Sequence, residues 1–201
     1  TDPEKKLMPS EGSKLELGPN VRQASNLKIM SSTPIIADWI NQIGGTRLSA
    51  NSIVPHSVNP HGYQLGAKDI AKITESNHVF TVGLNYEEQW LVKFLDNHPD
   101  IVQVALGTVV SPLQREEVHQ HRNKKGGYDP HFWFDPNRVI TVIKKIADEL
   151  SKIDPEGSDF YQSQALQYVI ELKKLDQYMF MELEKIPADK RKFMTEHESL
   201  R

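Results

Sequence analysis

Tyr128-Asp129-Pro130-His131-Phe132-Trp133-Phe134-Asp135-Pro136 holds one histidine in a turn fixed on both sides. Pro130 sets its own φ near about −65° and pushes Asp129 out of the helical region. Asp135-Pro136 reads as an N-cap followed by proline at the first helical position. Val139, Ile140, Ile143, Ile146, Ala147 and Leu150 follow at helical spacing. An imidazole placed just before so well anchored a helix loses little entropy on binding a metal ion. A buried, hydrogen-bonded loop histidine is the competing reading. A second turn of the same kind, Asn59-Pro60-His61, weighs toward a ligand.

Working backwards from this turn, strands alternate with helices. Leu27–Met30 reads as a strand. Ile35, Ile36, Trp39, Ile40 and Ile43 mark a helix that Gly44-Gly45 ends. Arg47–Val54 reads as a strand, Ala67–Glu75 as a short helix and His78–Val82 as a strand. Glu87–Leu95 reads as a helix and Ile101–Leu106 as a strand. The alternation predicts an α/β fold, with a mostly parallel four-stranded sheet flanked by helices. Ligands of such sheets bind beyond the carboxyl ends of the strands. His61 follows the second strand and His131 the fourth, so both belong to one rim.

Working forwards, one helix runs from Pro136 to about Ile153, where Asp154-Pro155 interrupts. Ser158 is expected to cap a long helix to about Ile186, with Leu172, Leu175, Met179, Leu183 and Ile186 at three- and four-residue steps. At 1.5 Å per residue it is about 42 Å long, a spar joining two lobes. Pro187 stops it. Lys192–Thr195 reads as the first strand of a second α/β lobe, and a lobe opened but not continued implies truncation. The expected organisation is a flexible tether over 1–26, a metal-binding lobe over 27–154, a linker helix over 155–187 and the start of a second lobe over 188–201.

Composition narrows the chemistry. The chain has 201 residues, net charge −3 and no basic stripe, which argues against nucleic acid. It contains no cysteine, so His, Asp and Glu remain as metal ligands. No apolar run of about 18 residues is present to span a membrane. The polar stretch 107–128 is long for a loop. Its His119-Gln120-His121 reads first as a solvated segment and second as a gatherer of metal ions. His56 reads as an exposed loop histidine, His78 and His98 as surface residues, and Glu87 as the cap of its own helix. Trp39, Trp90 and Trp133 read as core.

His197, after the expected last strand, makes a third histidine at a strand end. Three imidazoles and one oxygen suit tetrahedral Zn²⁺, whereas Mn²⁺ recruits more carboxylates.

Four segments carry a family resemblance. Val54-Pro55 to Pro60-His61-Gly62-Tyr63, Val82-Gly83-Leu84-Asn85-Tyr86-Glu87 to Trp90, Asp129 to Pro136, and Thr195-Glu196-His197-Glu198-Ser199-Leu200 resemble the metal-binding lipoproteins of zinc and manganese ABC importers, the cluster A-I solute-binding proteins. The likeness runs from Leu27 to the end. It implies metal ligation by His61, His131 and His197, with histidine at the third position associated more with zinc. It also implies two α/β lobes joined by one long helix, a permease partner in the membrane, a monomer, and an extracytoplasmic place, periplasmic or anchored to the outer face of the membrane. Asn59 and Gln64 stand where the family carries acidic residues, which bears on the orientation of His61. The histidine-rich loop is reduced to His119 and His121, and the fourth ligand lies beyond Arg201.

The function expected is therefore capture of a divalent metal ion, Zn²⁺ ahead of Mn²⁺, for an ABC importer, without catalysis. Two alternatives stand beside it. One is a three-histidine zinc hydrolase or lyase, with Glu196 or Glu198 as base. The other is an adhesion lipoprotein with an incidental site.

Overall fold

A computed structural model describes residues 27–113, 127–192 and 194, with His61, Glu88 and Gln89 described by their backbone alone. Four short strands, β1 (Ile29–Ser31), β2 (Ala50–Ser52), β3 (His78–Thr81) and β4 (Val102–Ala105), form one sheet in the order β2-β1-β3-β4. Every pairing is parallel, with Ile29 opposite both Ala50 and His78, and His78 opposite Val102. The expected four-stranded parallel sheet is what forms.

Each strand sends alternate side chains to opposite faces, and both faces are covered. Ile29, Phe80 and Val104 pack with Trp39, Ile40 and Ile43 of α1 (Pro34–Gly44) and with Ile143 and Ile146 of α4 (Pro136–Ile153). Met30 and Val79 face the other way. They meet Ile73 of α2 (Ala67–Thr74) and Trp90, Leu91 and Leu95 of the segment that ends in α3 (Lys93–Asp96). The α4 start is as expected: Asp135 accepts from the N–H groups of Asn137 at 2.9 Å and Arg138 at 3.4 Å, and Pro136 opens the helix.

Several boundaries differ from the expectation, each for a local reason. β2 is shorter than 47–54, because Arg47 and Leu48 still bond back to the Gly44 carbonyl and Ser52 Oγ turns onto the Val54 carbonyl. Glu88–Val92 is a π-helical turn ahead of α3, because the Glu87 carbonyl accepts from Trp90, Leu91 and Val92. Lys192 and Met194 are irregular, and the rest of the expected 192–195 strand lies outside the described residues.

The long helix α5 (Ser158–Glu184) has 27 residues, about 40 Å. Ser158 does not cap it; Gly157 holds that position. A Cβ on Gly157 would come within 2.6 Å of both Asp154 Oδ2 and Tyr161 Cε2. The crowding comes from a buried cluster. Arg47 Nε donates to Asp154 Oδ2, Arg47 Nη2 donates to Asp154 Oδ1 at 2.9 Å, and the Tyr161 hydroxyl donates to Asp154 Oδ2 at 2.5 Å. The cluster bolts the root of α5 to the end of α1.

The first half of α5 buries Tyr161, Ala165, Val169 and Leu172. Beyond Leu172 the same stripe continues outward through Leu175, Met179, Leu183 and Ile186, all exposed among the described residues.

Candidate metal centre

Parallel strands bring every βα turn to one rim, so the turns after β2 and β4 share it. His131 closes the approach to the 3₁₀ turn Phe132–Phe134. It is buried, at 7% exposure, although its ring is polar. The Asp129 carboxylate explains this. Its Oδ1 accepts the His131 backbone N–H at 3.0 Å, an Asx turn across Pro130, and meets the ring Nδ1 at 2.6 Å. A proton on Nδ1 satisfies that contact, which puts the lone pair of the neutral ring on Nε2. Trp133 stands edge-on to the ring with centroids 5.1 Å apart, and Tyr86 stands edge-on to Trp133 at 5.7 Å.

His61 lies in the 3₁₀ turn Pro60–Gly62 that follows β2. Tyr63 anchors the turn: its hydroxyl donates to Asp69 Oδ2 at 2.8 Å, and its ring meets Trp90 edge-on at 5.4 Å. Asp69 Oδ2 also accepts the Gly66 N–H at 3.0 Å, capping α2. Burial, helped by the hydrogen bond to Asp69 and then by its charge, pushes the Tyr63 phenol up to about 12, so it remains a donor.

His197, Glu196, Glu198, His119 and His121 lie outside the described residues, as does the His61 side chain. Among the described residues no three His, Asp or Glu side chains gather as a metal cluster. His56 is exposed and borders an open cleft of about 780 Å³ along the β2 edge, which also reaches Asp38, Asn41 and Glu75.

Three residues differ from their expected roles. His78 is half-buried at the start of β3, with an unpartnered buried Nδ1, and burial lowers its pKa. His98 is stacked on Phe94 at 4.1 Å, with Nδ1 2.7 Å from the Phe94 carbonyl. Glu87 does not cap the turn it precedes; it is 1% exposed and bends back to accept from Val82 N–H at 2.7 Å and Gly83 N–H at 3.0 Å. Burial pushes its carboxyl pKa up, and the nearby Ser32 hydroxyl and these N–H groups act in the opposite sense. Trp39 and Trp90 are core as expected, and Trp133 is half-buried against His131.

Sequence and structure comparisons agree with this architecture. The family model for the periplasmic zinc-uptake complex component A, ZnuA, matches residues 29–201. The chain belongs to the ZnuA family. The manganese ABC transporter substrate-binding lipoprotein PsaA of Streptococcus mitis is 32% identical over 177 residues, covering 84% of this chain and 55% of the relative. The manganese-binding lipoprotein MntA of Halalkalibacterium halodurans is 30% identical over 165 residues, covering 82% and 52%. A crystal structure of a zinc-bound ZnuA deletion mutant superposes with a TM-score of 0.72 at 25% identity, covering 80% of this chain and 60% of that one. The chain thus spans about half the length of the curated relatives it matches.

Proposed function

We propose that this ZnuA-family chain carries the metal-receiving lobe of an extracytoplasmic binding protein, which captures a divalent metal ion and passes it to the permease of an ABC importer. The observation that carries this reading is the buried His131, whose Nδ1 is turned to Asp129, in a turn that, like the His61 turn, meets the segment after β3 through aromatic rings; Nε2 is the proposed coordinating nitrogen. His61, His131 and His197 are the proposed ligands. Zn²⁺ is proposed over Mn²⁺ because three imidazoles suit the softer, tetrahedral ion. Relatives carry both metals in their names, so the ligand chemistry of this chain is the ground for the choice.

The proposed organisation keeps a tether over 1–26, the lobe over 27–154, the linker helix over 155–187 and the opening of a second lobe over 188–201. The exposed stripe Leu175, Met179, Leu183 and Ile186 supports it, since it extends the buried face of α5 past the first lobe. The metal is cargo in this reading, so capture and release replace turnover. Metal-bound imidazole must be unprotonated, so affinity is expected to fall as pH drops below about 6.5.

Calorimetric titration of the chain with Zn²⁺ and with Mn²⁺ tests the proposal. At least tenfold tighter binding of Zn²⁺, abolished by His131→Ala, is expected. Equal binding by the His131→Ala variant would overturn the ligand assignment, and tighter Mn²⁺ binding would overturn the choice of metal.

A further inference from the structure

The strand order β2-β1-β3-β4 reverses between β1 and β3, and the crevice beyond their carboxyl ends is where open α/β sheets bind a ligand. Here the crevice is filled from within. Ser32 leaves β1, Val82 and Gly83 leave β3, and the buried Glu87 carboxylate lies among them, taking the Val82 and Gly83 N–H groups. The loop between is contorted: Gly83, Leu84 and Asn85 have φ of 77°, 55° and 64°. Leu84 and Asn85 are not glycines, so this run of left-handed backbone costs energy and needs an anchor. Gly107 fits against it only without a side chain, since a Cβ there would meet Leu84 Cγ at 2.6 Å.

Two aromatic rings leave this pinned segment in different directions. Tyr86 stands edge-on to Trp133, which stands edge-on to His131. Trp90, on the π-helical turn whose first carbonyl is that of Glu87, stands edge-on to Tyr63, two residues after His61. We infer that Glu87 is a positioning residue for the metal centre: its carboxylate pins a strut, 82–91, that braces both histidine turns at once through Tyr86 and Trp90.

The inference rests on the proposed metal-binding role, but it also predicts an effect that needs no metal. In Glu87→Gln one carboxylate oxygen becomes an NH₂ group facing a backbone N–H, so one of the two anchoring bonds is lost. The full chain, ¹⁵N-labelled and metal-free, would be compared with this variant by its three indole N–H signals. The Trp90 and Trp133 signals are expected to shift or broaden, while Trp39, packed on Phe132 in the core, stays in place. Calorimetry with Zn²⁺ alone should show about tenfold weaker binding. Unmoved Trp90 and Trp133 signals would overturn the inference. So would equal movement of all three signals, which marks a general fold defect. If Glu87→Gln does not fold, Tyr86→Leu cuts one arm of the strut: Trp133 alone should move, and movement of neither Trp133 nor Zn²⁺ affinity would overturn the inference. If the unaltered chain binds no Zn²⁺, the metal-binding proposal fails by itself, and the indole signals still decide whether Glu87 braces the two turns.

Discussion

One oxygen of Asp129 holds His131 at two points, the backbone N–H at 3.0 Å and the ring Nδ1 at 2.6 Å. A histidine fixed this way cannot rotate its ring without breaking a charge-assisted contact in a buried place. The ring is therefore held in place in the metal-free chain, which under the proposed ligand role lowers the entropy lost on binding.

Asp129→Ala is expected to leave His131 in the chain but weaken Zn²⁺ binding by about 10- to 100-fold, the usual cost of losing an imidazole's outer partner. Calorimetry checks it. Unchanged affinity would mean that the contact serves only the turn.

The Arg47–Asp154–Tyr161 cluster predicts a large stability effect far from the rim. Both side chains of the ion pair are about nine-tenths buried, and removing one partner of such a pair costs about 3–5 kcal/mol. Asp154→Ala should lower the thermal midpoint of the metal-free chain sharply, and Gly157→Ala should do so by crowding the same atoms. The hydrogen bond from Arg47 holds the Asp154 pKa below its ordinary value. Its contribution is thus fully present above the unfolded carboxylate pKa of about 3.9 and is lost as pH falls through the lower folded value. Denaturant titrations of Asp154→Asn should show a smaller loss of stability than the unaltered chain across that acid range.

His78 predicts a second pH effect with its own window. Burial disfavours its protonated form, so the unfolded chain takes up a proton first as pH falls. Stability from this group is complete above the unfolded pKa of about 6.5 and declines below it until the lower folded value is passed. Urea titrations of the metal-free chain at pH 7.5 and 5.5 check this. His78→Val should reduce the difference between the two; an undiminished difference would assign it to other groups.

Asn41 predicts a change in association. Its side-chain amide imitates a neighbouring strand: Nδ2 donates to the Ala50 carbonyl at 3.1 Å, and Oδ1 accepts the Ala50 N–H at 2.7 Å. β2 lies at the sheet edge, where open backbone groups template pairing with other chains. Asn41→Ala should cost about 1–2 kcal/mol for two hydrogen bonds and promote concentration-dependent association in sedimentation velocity runs. A variant that sediments like the unaltered chain at all concentrations would remove Asn41 from this role.

The sheet and the α4 start were legible because their signals are local: alternation of apolar runs, and Asp135-Pro136 ahead of a helical stripe. Parallel topology places the His61 turn after β2, but His131 follows β4 by 26 residues, and its link to the same region rests on the Tyr86–Trp133–His131 and Trp90–Tyr63 ring contacts. The fixing of His131 by Asp129 could have been read from the spacing, since an aspartate two residues ahead of a histidine suits an Asx turn. Other features were not legible. Arg47 and Asp154 are 107 positions apart, and no periodicity links them. Glu87 looked like a helix cap because an acidic residue before an apolar run commonly is one. Its turn back into the sheet depends on three consecutive residues in left-handed backbone, two of which are not glycine. His78 looked like a surface residue because a lone histidine carries no sign of its burial.

The most direct measurement is zinc X-ray absorption on the chain loaded with one equivalent of Zn²⁺, repeated for His61→Ala, His131→Ala and His197→Ala. Three imidazole nitrogens at about 2.0–2.1 Å are expected, with one lost in each variant. A zinc shell with no more than one imidazole, or a spectrum that His131→Ala leaves unchanged, would contradict convergence of the three histidines on a single ion.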